Sequence, residues 1–112
     1  MGNITTHILD TSLGKPAQGV KIKLLKLMND SWEVIGEGLT NADGRLPGLL
    51  PDGKSLEPGE YRMWFDTDSY FASLGQKSFY PSVSIDFRTF DTTHYHVPLL
   101  LNPFGYSTYR GS

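Results

Sequence analysis

Apolar and polar residues alternate over many short stretches of the chain, and a period of two is typical of β-strands that bury one face. The clearest stretch covers residues 19–28, where Val20, Ile22 and Leu24 alternate with lysines. A doubled leucine at Leu24 and Leu25 breaks this alternation, which predicts that the far half of the strand is covered on both faces. Alternation predicts seven strands, over residues 5–9, 19–28, 32–39, 60–66, 83–88, 95–101 and 106–109.

The period changes once, after residue 66. Tyr70, Phe71 and Leu74 are spaced as on one face of a helix, and Asp66 or Thr67 is a suitable N-cap. A glycine at position 75 suits the left-handed residue that follows many helices. We therefore predict one helix of two turns over residues 67–74.

Twelve glycines and seven prolines divide the 112 residues into short pieces. Residues 41–44 form a strong turn signal, and residues 47–58 read as a surface loop that holds at most one more very short strand. Seven or eight short strands with turns about every ten residues favour an all-β sandwich of two antiparallel sheets. The length suits one domain that spans residues 1–112.

Composition excludes several classes of function. The chain has no cysteine, so a disulfide scaffold, a thiolate metal site and a cysteine nucleophile are ruled out. A net charge of −2 with scattered basic residues argues against nucleic-acid binding, and no apolar run approaches the roughly 18–20 residues that span a membrane. We expect no secretory signal, because residues 1–6 are polar and uncharged. The cytoplasm is the expected compartment, and the peroxisome stays open although the last three residues are not the usual peroxisomal address.

Few side chains are suited to catalysis. Of the three histidines, His94 and His96 lie two apart on a predicted strand, so both should leave the same face. Together with His7 they could form a three-imidazole zinc site. Acid–base catalysis by histidine and an ordinary structural role are the other two interpretations, and the spacing alone does not decide among them.

Three separated motifs resemble those of the transthyretin family. The first comprises HILD at residues 7–10 followed by GKPA at 14–17, and the second is YHVPLLLNPFGYST at residues 95–108. The terminal YRGS at residues 109–112 resembles the tail that marks the enzymatic branch of the family, the 5-hydroxyisourate hydrolases. The resemblance covers the whole chain.

This resemblance implies a transthyretin-like sandwich of two four-stranded antiparallel sheets with one short helix. It also implies a homotetramer with active sites between subunits. The implied reaction is hydrolysis of the small molecule 5-hydroxyisourate to 2-oxo-4-hydroxy-4-carboxy-5-ureidoimidazoline in urate degradation. Neither a metal nor an organic cofactor is implied.

Carried over by motif, the catalytic residues are His7, Arg45, His96 and Ser112, and the tail residues Tyr109, Arg110 and Gly111 join them in binding substrate. One neutral histidine would accept a proton from water, and the arginine would stabilise negative charge on the intermediate. Which histidine is the base stays open, and the motif gives His94 no role. The alternatives are a non-catalytic small-molecule carrier of the transthyretin type and a metal-binding module built on the three histidines.

Overall fold

The computed structural model describes residues 3–51 and 55–111, in which nine strands form two sheets and one helix connects two of the strands. The strands are β1 Ile4–Asp10, β2 Lys15–Pro16, β3 Lys21–Met28, β4 Ser31–Leu39, β5 Arg45–Leu46, β6 Gly59–Phe65, β7 Val83–Thr89, β8 Tyr95–Asn102 and β9 Gly105–Thr108. All seven predicted strands are present within two residues at either end. The two-residue strands β2 and β5 were not predicted, because so short a segment has no periodicity of its own.

One sheet is antiparallel throughout, with the strand order β4-β3-β6-β7. The other has the order β2-β1-β8-β9, and β5 also pairs with β1. In this sheet β1 and β8 run parallel, which differs from the predicted antiparallel arrangement. Since β8 occupies one edge of β1, β2 and β5 share the other edge end to end, and five strands fill four positions.

The core lies between the sheets and is supplied by the alternate residues of each strand. On β1, Ile4, Thr6 and Ile8 are buried, while the residues between them are only half-buried. The loop predicted at the surface also contributes, because Leu49, Leu50 and Leu56 are at most 8 % exposed. The prediction of a plain surface loop was therefore wrong for these leucines, which cover apolar surface that the strands leave open.

Strand β3 has a β-bulge at the doubled leucine. Its register against β4 shifts between Leu24 and Leu25, and residues 25–28 beyond the shift are all half-buried. The extra residue of a bulge disturbs the alternation of faces, so both sides of the strand become partly covered. The far half of β3 is therefore covered on both faces, as predicted, but only partly.

The helix α1 spans Thr67–Ser73 and so ends one residue before the predicted end. Asp66 is its N-cap and accepts hydrogen bonds from the backbone N–H and the hydroxyl of Ser69. Gly75 has φ +72°, as predicted for the residue after the helix. In the part of the chain that the structure describes, no helix is long and apolar enough to cross a membrane.

A buried hydrogen bond ties this helix to the end of β1. The Tyr70 hydroxyl donates to Oδ2 of Asp10 at 2.7 Å, and Asp10 is fully buried. The other oxygen accepts from Ser12 and Leu13, so both oxygens of the buried carboxyl group are hydrogen-bonded. Burial and the bond to Asp10 together raise the pKa of the Tyr70 hydroxyl.

Candidate active site

Two neighbouring strands bring polar side chains to the outer face of the mixed sheet. On β1, Thr5 and His7 alternate with the buried residues and so point away from the core, as predicted from Ile8. On β8, half-buried His96 lies between two buried neighbours and points the same way. Since Thr5 pairs directly with His96, one outer patch of the sheet carries both histidines.

Arg45 joins this patch through β5. Its pairing partner on β1 is His7, and directly paired residues project to the same face. The predicted turn at 41–44 sets this pairing, because the Ile8 N–H donates to the Gly44 carbonyl at 2.8 Å. A Cβ at Gly44 would lie 2.5 Å from the Ile8 oxygen, and its φ is +70°, so this close approach requires glycine.

The patch borders an open cavity of about 230 Å³. Its lining residues come from the start of β1, from the segment around β5 and from the approach to β8; they are Thr5, Thr6, Arg45, Pro47, His94 and His96. Imidazole, guanidinium and hydroxyl groups thus face one space. This is a set suited to proton transfer beside a stabilised negative charge.

The Thr5 hydroxyl contacts two imidazole rings. Its Oγ1 lies 2.8 Å from Nδ1 of His96 and 3.1 Å from Nε2 of His94. Sequence reasoning missed Thr5, although the same alternation that places His7 on the outer face also places Thr5 there.

His96 is held in its neutral form. Burial lowers the pKa of its imidazole, and the positive charge of Arg45 together with His7 and His94 lowers it further. An imidazole whose pKa lies below the usual 6.5 is uncharged at pH 7 and can accept a proton.

The three histidines do not form a metal site here. Within residues 3–51 and 55–111, no group of three His, Asp or Glu side chains has a geometry that could hold a metal ion. His94 is bonded to the Thr5 hydroxyl instead.

The C-terminal tail lies against the same histidine. The Gly111 N–H donates to the His96 carbonyl at 2.9 Å, and a Cβ at Gly111 would lie 2.5 Å from Cδ2 of His96. The guanidinium of Arg110 stacks on the ring of Tyr95, 4.6 Å from its centroid.

Tyr109 and Ser112 are the other two predicted tail residues. Tyr109 is 59 % exposed and, with Arg110, lines a second cavity of about 250 Å³ between β7 and the tail. Ser112, predicted as catalytic, lies outside the described residues. The structure thus brings His7, Arg45, His96 and Gly111 to one place and directs Arg110 to Tyr95.

The fold and this patch define a class of small two-sheet β-sandwich proteins that carry a histidine–arginine site on the outer face of one sheet. The chain belongs to the HIUase/Transthyretin family, whose model matches residues 4–111. The family resemblance read from the three motifs is therefore confirmed.

Relatives and solved structures agree with this assignment. The chain is 47% identical over 112 residues to the 5-hydroxyisourate hydrolase of Mus musculus, with 97% of this chain and 94% of the mouse protein covered. The structure of Klebsiella pneumoniae 5-hydroxyisourate hydrolase superimposes with a TM-score of 0.88 at 38% identity and covers 100% of both chains. Sea bream transthyretin in complex with thyroxine superimposes with a TM-score of 0.90 at 31% identity, over 97% of this chain and 94% of that one. The predicted transthyretin-like sandwich is confirmed.

Proposed function

We propose that this protein is a 5-hydroxyisourate hydrolase, which opens the six-membered ring of 5-hydroxyisourate to give 2-oxo-4-hydroxy-4-carboxy-5-ureidoimidazoline. The observation that carries the proposal is the patch of His7, Arg45 and His96 on one sheet face, with His96 kept neutral. The similarity of the chain to relatives that are named 5-hydroxyisourate hydrolase supports the choice of substrate.

In the proposed reaction His96 is the general base. It removes a proton from water as the water oxygen bonds to the ring carbonyl carbon, and the C–N bond of the ring then breaks. The proton then passes from the imidazolium to the leaving nitrogen. The hydroxyl of the water thus ends on the carbonyl carbon and its proton on the nitrogen. His7, which faces the same patch, orients the water.

Arg45 stabilises the charge that develops on the carbonyl oxygen. Its guanidinium is permanently charged and planar, and its fork of donors suits the carbonyl oxygens of a flat ring. After burial, the same charge is the next cause of the lowered pKa of His96, so Arg45 acts both on the intermediate and on the base.

The tail completes the site in this proposal. Gly111 lies against the ring of His96, and Ser112, the next residue, would contribute its hydroxyl to the substrate. Tyr109 would contact the substrate from the same segment. Arg110 contacts Tyr95, so its contribution to binding would be to hold the tail in place.

We further propose a homotetramer with the sites between subunits. The site lies on an open sheet face that also carries the half-buried apolar side chains of Leu9 and Leu100, and a second subunit over this face would separate the site from bulk solvent. Light scattering should give about four times the 12.5 kDa of one chain. A stable monomer at micromolar concentration would contradict an active site between subunits. The cytoplasm remains the compartment predicted from the sequence.

The test is to add the purified protein to freshly oxidised urate and follow the loss of 5-hydroxyisourate absorbance. His7→Ala and His96→Ala should each lower turnover by about 10²–10⁴-fold, and Arg45→Ala by about 10²–10³-fold. Arg62→Ala is the matched control, since Arg62 forms an ion pair with Asp86 on the other sheet and lines neither of the two cavities described above. Binding of the substrate without turnover would instead support the carrier function.

A further inference from the structure

The Thr5 hydroxyl lies between the rings of His94 and His96, and the proposed reaction gives neither Thr5 nor His94 a role. Thr5 is half-buried on β1 and pairs with His96 on β8, so the backbone of two adjacent strands fixes the first contact at 2.8 Å. The second contact, to Nε2 of His94, is 3.1 Å.

The two rings cannot both accept a hydrogen bond from Thr5. A hydroxyl group has one proton to donate and two lone pairs with which to accept. If it donates to one ring nitrogen, the other ring must donate its own N–H to the hydroxyl oxygen. The proton positions on Nε2 of His94 and Nδ1 of His96 are therefore coupled through one oxygen atom.

We propose that Thr5 is a positioning residue that holds the proton of neutral His96 on Nδ1, and that His94 enforces this by accepting the Thr5 proton at Nε2. Nε2 of His96 is then free to take a proton from water. In the opposite arrangement the proton sits on Nε2, and the ring can only donate there. The inference rests on the proposed role of His96 as the base.

Because the His96 ring is neutral, its tautomer decides whether Nε2 can accept a proton from water. The groups that face it are Arg45 on β5, His7 on β1 and His94 before β8, and together with burial they disfavour a protonated ring. A neutral imidazole carries one N–H, and the partner of one ring nitrogen decides where it sits. Among the residues that the structure describes, Thr5 is the hydrogen-bond partner of the His96 ring.

The first experiment reads the tautomer directly. In protein labelled with ¹⁵N-histidine, the Nδ1 and Nε2 chemical shifts of His96 at pH 7.5 should show the proton on Nδ1, and the His96→Ala variant assigns the signal. Thr5→Val, which keeps the β-branched shape, should move the proton to Nε2, and Thr5→Ser should restore the wild-type pattern. The proton on Nε2 in the wild type, or an unchanged tautomer in Thr5→Val, would overturn the proposal.

A second variant covers the case in which Thr5→Val fails to fold. His94→Ala leaves the Thr5 proton free to bond Nδ1 of His96, so both tautomers should appear. If His96 keeps its proton entirely on Nδ1 in this variant, His94 does not select the tautomer.

The second experiment measures turnover. Thr5→Val should lower kcat about 10²-fold with little change in KM, because the substrate still meets the same charged groups while the base is lost. Thr5→Ser should recover most of the rate, which a purely structural role of the strand residue does not require. Thr11→Val is the matched control, since the Thr11 hydroxyl donates to the backbone carbonyl of Leu101 on β8 and not to a histidine ring, and Thr11 lies beyond the end of β1.

The two proposals fail in different ways. Wild-type protein without hydrolase activity refutes the proposed function, and the NMR experiment still decides the hydrogen-bond arrangement. An active wild type with an equally active Thr5→Val variant refutes the positioning role and leaves the proposed function intact.

Discussion

Adding one methyl group at Gly111 tests whether the tail is part of the active site. A Cβ at this position would lie 2.5 Å from Cδ2 of His96, 3.3 Å from its Cγ and 3.2 Å from Cγ of Pro98. Carbon atoms in favourable contact are about 3.5–4.0 Å apart, so the methyl group is about 1 Å too close to the ring. Gly111→Ala must therefore displace either His96 or the tail.

The size of the loss in kcat/KM depends on whether the His96 ring or the tail moves. If the ring moves by about 1 Å, misplacement of a catalytic group on that scale can lower the rate about 10²-fold, or about 2.7 kcal/mol of transition-state free energy. If the tail moves, it loses the 2.9 Å bond from the Gly111 N–H to the His96 carbonyl, a net loss of about 1 kcal/mol, and leaves the substrate side of the ring. Both routes lower kcat/KM, and we expect a loss of about 10- to 100-fold.

The assay compares kcat/KM for 5-hydroxyisourate with the thermal midpoint of the same protein. The midpoint should fall by a few degrees at most, because Gly111 lies beyond the last strand and the mutation can break only the one hydrogen bond to His96. Gly105→Ala is the matched control, since its added Cβ would make only ordinary contacts, at 3.9 Å from the side chain of Asn102. Wild-type kcat/KM in Gly111→Ala would refute the conclusion that the tail is held against His96.

Three further predictions concern the surroundings of the site. Tyr70→Phe leaves an oxygen of buried Asp10 without its donor and should cost about 1–3 kcal/mol in urea denaturation, while kcat of the folded protein is unchanged. Arg45→Ala removes one cause of the lowered pKa of His96, so the acid limb of the residual kcat/KM, which falls as His96 takes up a proton, should move to higher pH; an unmoved limb would show that another group titrates there. Arg110→Ala removes a guanidinium that stacks on an aromatic ring and should lower kcat/KM about two- to fivefold, the equivalent of about 0.5–1 kcal/mol; a loss as large as that of His96→Ala would mean that Arg110 contacts the substrate.

Local pattern was sufficient to predict most of the strands and the helix. Alternation around Ile8 correctly placed His7 on the outer face, and the capping residue Asp66 with Gly75 predicted the helix to within one residue. Each of these features depends on residues close together in sequence. Such patterns report which side of an element is buried, whatever the element packs against.

Strand pairing could not be predicted from these patterns. Alternation says nothing of direction, so the parallel pairing of β1 with β8, which brings Thr5 beside His96, was missed. The local pattern around Arg45 gives no sign of a strand, since β5 is two residues long and forms where the preceding turn lies against β1. The position of Arg45 came instead from the resemblance to a family.

The site depends on β1 having both of its edges paired. One edge takes β5 and so receives Arg45, and the other takes β8 and so receives His96, while β1 itself supplies Thr5 and His7. The tail then adds Gly111 by pairing with the backbone of His96. Residues that are distant in sequence thus converge because each is fixed by backbone hydrogen bonds to β1 or to its neighbour. A rigid sheet can hold such groups in place more accurately than loops, which accounts for a polar site on the outer face of a strand whose other face is fully buried in the core.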